Sequence, residues 1–368
     1  MSAPSADRAD RLGRLVADEE LDQLIVGDLV RPGDSGPDAI ANVRWLTGFT
    51  GTSGLALVGP QLRTFITDFR YVERAERQVE PSFERAIAAQ RLLPELASRL
   101  AGRVGYDDAL TSVASLRKLE ASAAEGVELV PSSGLVEKLR RIKDPGEQEA
   151  IAEAARLADE AYRFAIGRGF AGRSERDVAR ATEARIRELG AEPSFPAIVA
   201  AGENGALPHA EPSERKIRSG DLIVFDMGAL LDGYCSDCTR TFAVGEIDAE
   251  ARDVYELVRT AQSAALDGIR ADVTGPAADE IARTIIHDGG HGDAFGHGLG
   301  HGVGLEVHEA PRLGQRSEDV LAAGDVVTVE PGVYLPGRFG VRIEDLVAIT
   351  DDGVRNLSSM DKALRVVG

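Results

Sequence analysis

Along the first third of the chain, short apolar runs alternate with longer segments of helical spacing. Residues 21–26, 55–58, 63–67, 83–88 and 103–106 predict strands. Residues 5–20, 69–79, 92–100 and 112–125 predict helices around them. This order predicts an α/β domain built on a mostly buried sheet. It contains no histidine and no phosphate-binding glycine loop of useful form.

Pro131-Ser132-Ser133-Gly134 is a turn cluster, and Lys138-Leu139-Arg140-Arg141-Ile142-Lys143 is a basic stretch. The expected division is a domain over 1–130, a linker over 131–143 and a second domain over 144–368. Asp144-Pro145-Gly146-Glu147 reads as a helix start, with Asp at the N-cap, Pro at N1 and Glu at N3. That helix runs to about Gly167. Ser174 with Asp177 opens another, closing at Gly190. A second helical pair is expected over 248–269 and about 276–287. Strands between and after these helices make this half α+β.

Four apolar strands each deliver an acid. Asp221-Leu-Ile-Val-Phe-Asp226-Met-Gly228 ends on Asp226, and the next strand, 234–242, carries Asp237. Leu231, Asp232 and Gly233 must turn the chain between them. If Leu231 and Asp232 turn, Asp226 faces Asp237. If Asp232 and Gly233 turn, the two are diagonal. Both point to one face either way, because side chains alternate with period two. Like charges side by side on a sheet need a proton or a cation between them. Asp325-Val-Val-Thr-Val-Glu330-Pro331-Gly332 is the third strand, and Gly340-Val-Arg342-Ile-Glu344-Asp345 the fourth. On the fourth, Arg342 and Glu344 share a face.

Glycine occupies every second position from 296 to 304, interleaved with His297 and His301 and followed by His308-Glu309. Such spacing lets backbone and ligands approach closely and disfavours a helix. Leu299, Val303, Leu305 and Val307 argue against a solvated His tract. Imidazole among four carboxylates is a hard, oxygen-rich set. It suits two divalent ions, Mn²⁺ first, with Co²⁺, Fe²⁺ or Zn²⁺ as alternatives.

The bulk numbers narrow the partners. The 368 residues have a net charge of -19, which argues against nucleic acid and anionic membrane as partners. No apolar run approaches the ~18–20 residues of a membrane span, and Met1 to Glu20 has no signal-peptide core. A cytoplasmic location is expected. Cys235 and Cys238 are the only cysteines. They have redox-motif spacing but fall on opposite faces of a strand, which argues against redox or zinc chemistry.

These motifs resemble the proline-specific pita-bread metallopeptidases, the Xaa-Pro aminopeptidase and prolidase family. The match runs through His297–Glu309, Glu330-Pro-Gly and Arg342-Ile-Glu344. It extends to Asn204-Gly-Ala-Leu-Pro-His209, Gly220-Asp-Leu, Gly233-Tyr-Cys-Ser-Asp237 and Thr239-Arg-Thr241. Residues 140–365 carry it well; the first 130 resemble the creatinase/prolidase N-terminal domain more weakly. The resemblance implies a curved antiparallel sheet with outer helices behind a smaller α/β domain. It implies metal ligands Asp226, Asp237, His301, Glu330 and Glu344, with Asp237 and Glu344 bridging. His209, His297, His308 and Arg342 then line the substrate side. It further implies a proline-containing peptide substrate and a homodimer. Glu330 is the expected proton shuttle, and His297 or His308 the expected donor to the oxyanion. His209 is expected to help close an apolar wall around the proline ring. A metal-free creatinase-like hydrolase and a non-catalytic binding module are the rivals; the complete ligand set and the acidic composition argue against them. The compact N-terminal domain and the Asn204–His209 run favour an Xaa-Pro aminopeptidase over a prolidase.

Overall fold

The computed structural model describes residues 6–30 and 40–368. Ser5, the first residue of the expected N-terminal helix, lies outside them. The chain divides into two compact units, at Arg140 and Arg141.

The first unit is a six-stranded mixed sheet with helices around it. Its strand order is Glu84–Ala88, Arg63–Asp68, Gly54–Val58, Gln23–Val26, Arg103–Tyr106, Glu128–Pro131. Leu55, Leu57, Ile66, Val104 and Leu96 are buried together in its core. Short helices at Ala41–Thr47 and Leu135–Arg140, and the edge strand Glu128–Pro131, were not legible in the sequence. The segment expected to be a linker is therefore largely structured. Val136 and Arg140, one helical turn apart, are both buried, and the Arg140 guanidinium donates to Asn42 Oδ1 at 2.6 Å. A basic hexapeptide reads as solvated until that buried partner is known.

The second unit is α+β, and its named strands pair antiparallel throughout. Helices Pro145–Gly167 and Glu175–Glu188 form one pair, and Ala249–Gly268 and Gly275–Asp288 the other. Asp144 and Ser174 each close a capping box, as their spacing predicts. Tyr162 packs edge-on against Phe225, and its hydroxyl donates to the carbonyls of Phe225 and Cys238, fixing the first pair to the strands beneath.

The two halves of this unit repeat. One offset along the chain separates the N-caps Asp144 and Asp248, the buried acids Glu175 and Asp279, and the strand-starting pairs Gly220-Asp221 and Gly324-Asp325. Gly220 and Gly324 share a left-handed φ of 93° and 96°. The same offset relates Asp226 to Glu330.

Candidate active site

Strands Leu222–Met227 and Cys238–Ala243 pair with Asp226 opposite Thr239. Farther out, Leu231 pairs with Tyr234, so Asp232 and Gly233 make the turn. Both have positive φ, 49° and 85°, as a two-residue Asp-Gly hairpin requires. Of the two registers open in the sequence, this one leaves Asp226 and Asp237 diagonal.

The other carboxylates stand where strands break. Asp237 lies between Tyr234–Cys235 and Cys238–Ala243, and Glu330 between Val326–Val329 and Gly332–Leu335. Glu344 lies between Phe339–Arg342 and Asp345–Ile349, so the expected fourth strand is two, in different sheets. The break is held from the side. Glu344 N donates to Thr239 O at 3.1 Å, and its carbonyl accepts from buried Arg240. Arg240 also pairs with Asp345 at 2.7 Å.

His301 sits on the short strand Gly300–Gly302, between Glu309–Leu313 and Val326–Val329. The flanking glycines are steric necessities. A Cβ on Gly300 would lie 2.0 Å from Thr328 O, and one on Gly302 2.1 Å from Ala310 O. Nδ1 of His301 lies 3.1 Å from Gly302 O, so Nδ1 carries the proton and Nε2 presents a lone pair. That Nε2 is 3.3 Å from Glu330 Oε1 and 3.8 Å from Asp237 Oδ2. Three acceptors facing each other at such distances need a cation or a proton among them.

All nine residues singled out from the sequence line one cavity of about 470 Å³: His209, Asp226, Asp237, His297, His301, His308, Glu330, Arg342 and Glu344. Asp237, His301 and Glu344 can bring one ligand atom each within 4.8 Å of one another. Among the described residues, Asp226 Oδ1, Asp237 Oδ1 and Glu344 Oε1 are buried with no hydrogen-bond partner. Burial pushes the carboxyls of Asp237 and Glu344 well up, and their acidic neighbours push them further. Burial also raises Asp226, against the pull of Arg342. Buried carboxylate oxygens left without donors fit a site for divalent cations.

Arg342 organises the substrate side. Its Nη2 donates to Asp226 Oδ2 at 2.7 Å and its Nε to Thr239 Oγ1 at 2.9 Å. Thr239 Oγ1 donates in turn to Glu344 Oε2 at 2.7 Å. Arg342 Nη1 donates to Tyr334 Oη at 2.9 Å, and Tyr334 lies 2.9 Å from His297 Nε2. His297 Nδ1 is 2.8 Å from Gly298 O and must donate to it, so Nε2 accepts from the tyrosine. Burial lowers the His297 pKa and keeps the ring neutral. Both its nitrogens are thus engaged by the protein, leaving no N–H for an oxyanion. His308 is exposed to the cavity, and partial burial, with the charge of Arg312 adding to it, brings it down to about 4. As a neutral ring it keeps one N–H. Phe195, Ile198, Pro208, Val307 and Leu313 supply the apolar lining.

Tyr334, Thr328 and Arg312 went unread in the sequence. Thr328 Oγ1 donates to Glu330 Oε1 at 3.2 Å and accepts from His301 N at 3.0 Å. Two-residue spacing was the available signal: Thr328 precedes Glu330, and Thr239 follows Asp237, on the same face.

The profile of metallopeptidase family M24 matches residues 149–351, and that of the creatinase/prolidase N-terminal domain matches 8–142. An uncharacterized peptidase of Bacillus subtilis is 42% identical over 331 residues, 89% of this chain and 93% of that protein. A Pyrococcus furiosus Xaa-Pro dipeptidase is 45% identical over 62% of this chain and 66% of its own length. Among solved structures, a Bacillus anthracis Xaa-Pro dipeptidase aligns with a TM-score of 0.92 at 38% identity, covering 98% of this chain and 99% of that one. A Thermotoga maritima X-Pro aminopeptidase aligns at 0.89 and 32% identity, covering 97% and 100%. With the M24 profile spanning more than half of its length, the chain belongs to metallopeptidase family M24.

Proposed function

We propose that this chain is a two-metal peptidase that hydrolyses the bond between an N-terminal residue and a following proline. The observation that carries the reading is that Asp237, His301 and Glu344 each offer a ligand atom within 4.8 Å of one another, beside buried carboxylate oxygens that have no donor, inside an apolar-walled cavity. The proline-specific names of the relatives support it. Asp226, Asp237, His301, Glu330 and Glu344 would hold two divalent ions, with Mn²⁺ best suited to the donors. Such ions supply Lewis acidity to a scissile carbonyl and lower the pKa of a water toward neutrality.

The chain's own groups do the rest. Glu330 receives the proton of the attacking water and delivers it to the leaving nitrogen. Against burial, which raises it, the charge of nearby Arg342 helps to hold the Glu330 carboxyl ionised, so it starts as the base. His308 donates its N–H to the developing oxyanion. Arg342, fixed by Tyr334 and Thr239, holds Asp226 in place. A proline nitrogen has no N–H to recognise, so the ring is selected by shape against Phe195, Ile198 and Val307.

We read the enzyme as an aminopeptidase. The cavity shares His297, Gly298, Arg312 and Gly314 with an open groove of about 970 Å³, which gives room for residues beyond the proline. A dipeptidase is the second reading, favoured by exposed Arg312 at the cavity wall, which could pair with a free proline carboxylate. Assaying Ala-Pro and Ala-Pro-Ala side by side separates the two. Cleavage of both supports the aminopeptidase; cleavage of the dipeptide alone makes it a dipeptidase. No cleavage of either with any divalent ion overturns proline specificity. A homodimer, implied by the resemblance, is read by light scattering.

A further inference from the structure

The run Asn204-Gly-Ala-Leu-Pro-His209 has no place in the chemistry above beyond the cavity-lining Pro208 and His209, and its first residue is tied elsewhere. Asn204 Nδ2 donates to both oxygens of Glu175, at 3.0 and 3.1 Å. Glu175 opens the helix Glu175–Glu188 and is fully buried. Its Oε1 also accepts from Ala201 N at 2.8 Å, and its Oε2 from Ser213 N at 3.0 Å and Ser213 Oγ at 2.6 Å. One carboxylate therefore ties together the two ends of segment 201–213 and its Asn204. The helix N-terminus and these donors meet its charge.

We propose that Glu175 is a positioning residue for substrate binding, acting through this segment. Between the tied ends, Pro208 and His209 line the cavity, and Leu207 beside them is 58% exposed. The inner side of the segment rests on the strand that carries Arg342. Gly205 and Gly340 are in backbone contact, and Arg342 Nη1 donates to Pro208 O at 3.2 Å. Movement of the tied ends would thus shift His209 and Pro208 against a fixed metal side. The repeat-related acid does a parallel task. Asp279 accepts from Leu299 N at 3.0 Å and pairs with Arg283, whose Nη2 donates to His297 O at 2.7 Å. Each half of the unit thus uses a buried acid early in its second helix to hold a histidine-bearing segment.

Arg215, bridging Glu203 and Asp221 at the outer side, partly supports segment 201–213 without Glu175. The expected effect is accordingly moderate, and it falls on binding. This inference rests on the reading of the cavity as the peptide site. The test is Glu175→Gln and Asn204→Ala in the metal-loaded full chain, with Ala-Pro as substrate. KM should rise about tenfold with kcat within about twofold, the pattern of lost uniform binding. Amide exchange should quicken over 201–213, and metal content should stay at the wild-type value. Asn204→Ala leaves Glu175 its Ala201 and Ser213 donors, so it tests the idea even if Glu175→Gln fails to fold. Unchanged KM in a folded variant, or a loss confined to kcat or to metal content, overturns the proposal. Inactivity of the wild-type chain toward both Ala-Pro and Ala-Pro-Ala would instead sink the peptidase reading.

Discussion

Glu330 and Tyr334 stand four residues apart, yet the sequence announces only the first. An acid at the end of an apolar strand before Pro-Gly is conspicuous. A tyrosine in the strand Gly332–Leu335 looks like ordinary sheet packing until its hydroxyl is found between Arg342 and His297. Both roles are testable. Glu330→Gln keeps the shape but not the base, so kcat should fall by about 10³-fold or more with the circular dichroism spectrum unchanged. Near-normal turnover would remove the proton-transfer role. Tyr334→Phe takes one buried donor from His297 and one acceptor from Arg342. It should cost about 1–3 kcal/mol of stability, read as a lower urea midpoint, and lower kcat/KM. Unaltered kinetics in that variant would show that the His297 and Arg342 orientations are held otherwise.

At the scale of elements, capped helices were the most legible and strand breaks the least. Asp144 and Ser174 announce their helices through neighbours three residues away, so local sequence suffices. The break at Glu344 depends on Thr239 and Arg240, far off in the chain. The contact of Gly205 with Gly340 is likewise non-local. A Cβ at 340 would lie 1.9 Å from Gly205 O, so Gly340→Ala should destabilise by about 1–3 kcal/mol and raise KM. A wild-type denaturation curve would contradict the close approach. In the first unit the helix expected over 69–79 begins as a 3₁₀ turn, Phe69–Tyr71, capped by Asp68. The hydrogen-bonded Arg70 guanidinium holds the Asp68 carboxyl at about 2, against its partial burial. A folded pKa below the unfolded 3.8 contributes stability above pH ~4 that is lost as pH falls toward 2. Arg70 is half-exposed, so the contribution is screened. Asp68→Asn should therefore be less stable than wild type at neutral pH, and the gap in urea midpoint should narrow below pH ~4. A gap that is constant with pH would show that the charge on Asp68 is not what stabilises the turn.

Across the whole molecule the main expectation concerns metal. If the buried carboxylates hold two ions, elemental analysis should find two per chain, and chelation should abolish peptidase activity and lower Tm, because ions that bind only the folded state stabilise it. A chelated chain with full activity would end the metallopeptidase mechanism. Among the described residues no helix is long and apolar enough to cross a membrane. The duplicated architecture of the second unit was invisible in the sequence because few side chains survive in both copies; the repeat lies in caps, left-handed glycines and buried acids.

By itself the sequence determined the α/β unit followed by an α+β unit, the strand that carries Asp226, the apolar runs that lead to the other three acids, and the histidine-glycine segment. Each of these is written in local periodicity or capping, where neighbours in sequence are neighbours in space. Only the tertiary structure decided the diagonal register of Asp226 and Asp237, the split of the fourth strand and the tautomers of His297 and His301. It alone showed Glu175 holding segment 201–213. These depend on which distant backbone carbonyl, hydroxyl or carboxylate arrives within hydrogen-bonding distance, and no spacing along the chain encodes that.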